Sequence, residues 1–94
     1  MFVKSEGLRI AVFEEGRSDG PTVLLVSGHP DSHTVWDPVV ARLQDRFRFV
    51  RYDPRGVGDS SVPSGTAAYR IARLADDFAA VLAAVSVDSD VHVV

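Results

Sequence analysis

The segment Val23-Leu24-Leu25-Val26 is a continuous run of branched apolar residues, closed abruptly by Ser27-Gly28. A strand with one wetted face alternates apolar and polar side chains, so a strand without that alternation needs cover on both faces. The run therefore predicts an inner strand of a parallel sheet with helices above and below it. The preceding segment, Leu8 to Glu15, reads differently. There Leu8, Ile10 and Val12 alternate with Arg9 and Ala11, the period of a strand buried on one face. Phe2 to Ser5 is also strand-like, and Glu6-Gly7 between the two runs reads as a hairpin turn. Gly16 to Pro21 is a polar turn.

Beyond the loop His29 to Thr34 the period lengthens. Trp36, Val39, Val40, Leu43 and Phe47 fall on one face of a helix, and Pro38 suits its first turn, where an N–H would have no helical acceptor. Phe47 to Tyr52 predicts the next strand, and Asp53-Pro54-Arg55-Gly56-Val57-Gly58 a turn. After the polar stretch Ser60 to Thr66, a second helix presents Ile71, Leu74, Phe78, Val81, Leu82 and Val85, with Ser64 or Thr66 as its expected cap. Val91 to Val94 reads as another buried-type strand. The order β-β-β-α-β-α-β predicts an α/β fold: an antiparallel hairpin, then a parallel β-α-β-α-β sheet with helices on both faces.

Length and charge narrow the function classes. Ninety-four residues make one small domain or part of a larger one. A formal net charge of −3 argues against a chain held to nucleic acid by a basic footprint. The absence of cysteine excludes a disulfide scaffold and any thiolate nucleophile or metal site. The longest apolar run, Phe78 to Val85, falls far short of the roughly 20 residues of a membrane helix. No apolar core of signal-peptide length opens the chain, so a soluble cytoplasmic protein with neither nucleic-acid nor membrane partner is expected.

Ligands of open α/β sheets collect at the carboxyl ends of the strands, which points to two loops, Ser27 to Thr34 and Asp53 to Ser61. His29, Asp31 and His33 alternate along the first, but no further histidine or cysteine cluster supports a metal site, and ordinary loop residues are the better reading. Gly56-Val57-Gly58 is not followed by the helix and Lys-Ser/Thr of a phosphate loop; Asp59 beside it would repel an anion. Asp53 and Arg55 are expected to form an ion pair that shapes the turn. Trp36 is expected to anchor its helix, Tyr69 to pack on the sheet edge, and Asp76-Asp77 to form a solvated patch paired with Arg73 or Arg70.

The loops also carry a family likeness. Ser27-Gly28-His29-Pro30-Asp31-Ser32, Trp36, and Tyr52-Asp53-Pro54-Arg55-Gly56-Val57-Gly58-Asp59-Ser60 resemble the amino-terminal third of an α/β-hydrolase. They are most similar to its epoxide-hydrolase-like branch, with the pattern H-G-x-P-D-S, W, Y-D-x-R-G-x-G-x-S. Tyr69, Leu74, Asp76-Asp77-Phe78 and Val91 to Val94 continue the likeness, and a closer similarity is to two-domain proteins whose hydrolase unit precedes a short-chain dehydrogenase unit. The resemblance implies that the strand at Val91 to Val94 leads into a nucleophile elbow beyond this sequence, followed by the cap, the acid and the catalytic histidine. Residues 1–94 are then an incomplete hydrolase domain, inactive alone, and His29, His33 and His92 are not the catalytic histidine. It further implies that the His29 backbone N–H serves the oxyanion hole, with Gly28 and Pro30 holding the loop and Asp31, Asp53, Arg55, Gly56 and Gly58 shaping its surroundings. The family's histidine before the glycine is Ser27 here. An Asp nucleophile would make the whole protein an epoxide hydrolase acting on a small molecule without cofactor; a Ser would make it an esterase or lactonase. The branch that cleaves carbon–halogen bonds favours Asn at the position of His29. A non-catalytic α/β binding module and a nucleotide-signalling module are the alternatives from other classes.

Overall fold

A computed structural model describes residues 1–85 and 90–94. The strands are β1 (Phe2–Ser5), β2 (Leu8–Gly16), β3 (Thr22–Leu25), β4 (Arg48–Tyr52) and β5 (Val91–Val93); the helices are α1 (Asp37–Leu43) and α2 (Ile71–Val85). Short 3-10 turns, His33–Trp36 and Thr66–Tyr69, precede the helices. The sheet order is β1-β2-β4-β3-β5. β1, β2 and β4 pair antiparallel, whereas β3 lies parallel to both β4 and β5. The hairpin and the parallel β-α-β-α-β unit are thus both present.

The uninterrupted apolar character of β3 follows from its position. Val23 and Leu25 face α1 with Val40 and Phe49, joined by the half-buried Trp36, Leu43 and Phe47. Leu24 faces the other way, into a layer of Ile10, Val12, Val50, Tyr52, Val81 and Val85 beneath α2. Each fully buried aliphatic side chain, such as Leu24 or Val50, contributes about 1.5–3 kcal/mol from leaving water.

Where β4 ends, side chains continue its work. The Ser60 hydroxyl accepts the Ala11 N–H at 2.9 Å and donates to the Asp53 carbonyl at 2.6 Å, and Ser61 Oγ accepts the Arg9 N–H at 2.9 Å. The first half of β2, paired with β1 on one edge, therefore keeps hydrogen-bond partners on the other.

The helices depart from expectation in detail. α1 ends at Leu43, so Phe47 reaches the same core from the turn beyond it, and Val39 stays 36% exposed. Neither Ser64 nor Thr66 caps α2. The 3-10 turn intervenes, and the carbonyl of extended Arg70 receives the N–H groups of Arg73 and Leu74. Ile71 is 80% exposed rather than core, because it sits at the open mouth of a cleft. Asp77 is only 1% exposed and is no part of a solvated patch. It lies three residues from Leu74 and four from Val81, on the buried face, where Arg55 compensates its charge. Asp76 does meet Arg73, at 3.6 Å.

Candidate functional site

Both loops singled out by the sequence stand at the carboxyl ends of parallel strands, the first following β3 and the second β4. With the start of α2 they enclose a cleft of about 380 Å³. Its floor is Val26, Ser27 and Tyr52, its rim Gly28, His29 and Pro54, and its far wall Ile71, Leu74 and Phe78.

The first loop turns sharply. The Asp31 N–H donates to the Gly28 carbonyl at 2.6 Å across a cis His29–Pro30 peptide, and Gly28, His29, Pro30 and Asp31 are all exposed. The His29 N–H donates to no protein acceptor among the described residues, and its ring tilts toward Tyr69 at 5.4 Å. Ser27 is buried, yet its hydroxyl has no hydrogen-bond partner among them; the same holds for the indole N–H of Trp36, whose ring otherwise packs on the α1-side core as expected.

The second loop is organised by two buried charges, and they do not pair with each other. Asp53 turns to the first loop: its Oδ1 accepts the His33 N–H at 2.8 Å and the His33 ring Nδ1 at 2.7 Å, while Oδ2 accepts the Asp59 N–H at 3.0 Å. Burial works to raise the Asp53 carboxyl, but these donors from Asp59 and His33 outweigh it and hold the group below the usual carboxylate range. Arg55 turns to α2, in a bidentate pair with Asp77 at 2.7 and 2.6 Å, and also donates to Glu6 at 3.0 Å and to the Ala68 carbonyl at 2.9 Å. The hydrogen bonds donated to Asp77 lead the forces that raise the guanidinium above its ordinary value, against the cost of burial. The expected Asp53–Arg55 pair is thus corrected: residues two apart in a tight turn point to opposite sides, and each finds a partner from another element.

The glycines explain how these side chains fit. Gly58 has φ +54°, and a Cβ there would collide with the Asp53 carboxylate; Gly56 has φ +80°, and a Cβ would stand 2.6 Å from the Tyr69 ring. Tyr69 packs on this turn rather than on the sheet edge, with its hydroxyl donating to the Pro63 carbonyl at 2.9 Å. Burial, aided by the Asp77 charge, pushes the Tyr52 phenol up to about 12, so it remains a neutral hydroxyl on the cleft floor. His29 and His33 diverge, one toward Tyr69 and the other onto Asp53, and no cluster of three metal-ligating side chains occurs among the described residues.

Sequence reasoning missed His33, Glu6 and Asp77 as partners of the loop charges. Only Asp77 left a signal, its place on the apolar stripe of α2.

The sequence profile of the α/β hydrolase fold matches residues 21–94. The chain is 59% identical over 88 residues to a probable oxidoreductase, EphD, of Mycobacterium tuberculosis (strain ATCC 25618 / H37Rv), covering 94% of this chain and 15% of that protein. It is 35% identical over 75 residues to epoxide hydrolase 3 of Mus musculus, covering 80% of this chain and 20% of the relative. The crystal structure of epoxide hydrolase VrEH1 from Vigna radiata superposes with a TM-score of 0.85 at 30% identity, over 99% of this chain and 30% of that one. The chain thus spans a small part of the length of the relatives it matches. No helix among the described residues is long and apolar enough to cross a membrane. An open sheet of this order, two loops at the carboxyl ends of its parallel strands and these matches together show that the chain belongs to the α/β-hydrolase superfamily, on its epoxide-hydrolase-like branch.

Proposed function

We propose that residues 1–94 are the amino-terminal part of an enzyme that opens a small-molecule epoxide to a diol through an alkyl-enzyme ester. The observation that carries this reading is the His29 N–H on the rim of the cleft, which has no acceptor among the described residues. In such a reaction a carboxylate nucleophile attacks an epoxide carbon as the C–O bond breaks, and the freed oxygen takes a proton. Water, deprotonated by a histidine, then adds to the ester carbonyl, and the resulting oxyanion needs donors fixed in advance. A single donor of this kind is worth about 3 kcal/mol of barrier. His29 supplies one such donor; a second, with the nucleophile, acid and catalytic histidine, would come from sequence beyond Val94. Gly28 and Pro30 set the turn that exposes the N–H. Ser27, Asp31, Asp53, Arg55, Gly56 and Gly58 shape the two loops. The 94 residues alone are expected to be inactive.

The name and length of the 59%-identical relative fit a short-chain dehydrogenase unit following the hydrolase unit in the whole protein. The test is a single turnover of the full-length protein on an epoxide in ¹⁸O-labelled water. An alkyl-enzyme ester gives a first-turnover diol whose new oxygen is unlabelled, because it comes from the enzyme carboxylate. Labelled diol in the first turnover would refute the covalent route. Cleavage of esters or lactones with no action on epoxides would instead identify a Ser nucleophile.

A further inference from the structure

We propose that His33 is a positioning residue for the His29 N–H, locking the first loop to the second through the Asp53 carboxylate; this rests on the oxyanion-hole reading of His29. The polar groups of His33 are engaged at three points. Its N–H and its ring Nδ1 both reach Asp53 Oδ1, at 2.8 and 2.7 Å, and its carbonyl accepts from Arg51 at 2.9 Å. The ring stacks on Phe13 of β2, with centroids 3.8 Å apart and planes within 18°.

The anchors are themselves anchored. Arg51 is buried and held by Asp37 of α1 at 2.6 Å and by Glu15 of β2 at 2.9 Å. Asp53 is fully buried and fixed on its other oxygen by the Asp59 N–H. Among the described residues, Asp53 and Arg51 are the charged groups bonded to His33, Glu15 and Asp37 stand behind Arg51, and Phe13 stacks on the ring.

An ionised carboxylate can only accept, so the proton of a neutral His33 ring sits on Nδ1. Protonating Nε2 leaves that bond in place, so the lock persists whether or not the ring is charged. Between Ser27 and Ser32 the backbone makes, among the described residues, only its internal Asp31–Gly28 bond. The place of His29 is therefore set from two ends, by β3 and by His33. Losing the His33 ring donor removes one of the three bonds and loosens the downstream end, while the backbone N–H and carbonyl bonds of residue 33 and the cleft wall that contacts substrate stay in place.

The experiment compares His33→Phe, which keeps the stack on Phe13 but has no ring donor, with His33→Asn, whose amide can donate from nearly the same place. Both are made in the full-length protein. Hydrogen exchange of the peptide spanning residues 27–34 reads the lock without any activity. In His33→Phe that exchange is expected to quicken about tenfold or more. Turnover of an epoxide is expected to lose roughly tenfold in kcat with KM within about twofold. His33→Asn is expected to retain most of both. Parental exchange or parental kcat in His33→Phe would overturn the proposal, as would a His33→Asn as impaired as His33→Phe. Should His33→Phe fail to fold, His33→Gln, which displaces the donor by one methylene, is expected to give the same kcat-selective loss; an unchanged kcat there overturns it equally. A parent protein that turns over neither epoxides nor esters refutes the hydrolase reading, and the exchange measurement then still decides whether His33 holds the loop.

Discussion

Two aspartates carry contrasting lessons at the scale of single residues. Asp77 and Asp76 are neighbours in sequence, yet one is buried against Arg55 and the other is exposed beside Arg73. Removing one member of a buried ion pair strands the other, so Asp77→Ala is expected to destabilise the hydrolase unit by roughly 3–5 kcal/mol, and Asp76→Ala by less than about 0.5 kcal/mol. Urea midpoints of the two variants against the parent check this. Asp53 links stability to acid pH. Its folded-state carboxyl lies below the ordinary value, so the stability it contributes is present above the unfolded-state pKa of about 3.9 and is lost as pH falls through the depressed value. Asp53→Asn is expected to lower Tm near neutrality and to flatten the fall of Tm across that acid window. An unchanged slope would mean that other carboxylates dominate acid unfolding. The sequence made Asp53 and Arg55 stand out, but not their partners, since a motif shows which residues matter to a turn and not which way their side chains leave it.

At the scale of elements, periodicity was a sound guide wherever burial was continuous. The strands and α2 lie where the apolar patterns predict, but not every apolar residue meets the core. β5, expected as a buried-type strand, leaves Val93 and the following Val94 exposed because no helix covers that face among the described residues, and Ile71 stands at the cleft mouth. Periodicity was weakest at the ends of α1 and at the entry to α2, where short 3-10 turns replace a capped helix and no apolar stripe records them. Leu24 is fully buried at the middle of the sheet, so Leu24→Ala is expected to cost about 2–5 kcal/mol, readable in the same urea series. Ser60 tests a less obvious dependence. Its hydroxyl stands in for a missing strand residue beside β2, and Ser60→Ala leaves the buried Ala11 N–H without an acceptor. A loss of about 1–3 kcal/mol is expected, with faster amide exchange at Ala11. An Ala11 amide protected as in the parent would show that water replaces the hydroxyl there.

Across the whole molecule, cover thins toward the β5 end of the sheet among the described residues. Val93 and Val94 are more than half exposed beside the open edge of β5, and Ile71 stands bare at the cleft mouth. Residues 1–94 expressed alone are expected to self-associate or fold poorly, and Val93→Lys to reduce that association in sedimentation. A sharply unfolding monomer would contradict this. The ion-pair cluster around Arg55 bears on how such a unit comes into being. Glu6 lies 49 residues before Arg55 in the chain, and Asp77 lies 22 residues after it. During synthesis, then, one partner leaves the ribosome well before Arg55 and the other well after it. A guanidinium destined for the interior has no complete set of partners until α2 has emerged. Chains that stop short of α2 therefore have reason to keep the turn wet, and docking of α2 becomes the event that commits hairpin, turn and this part of the sheet together.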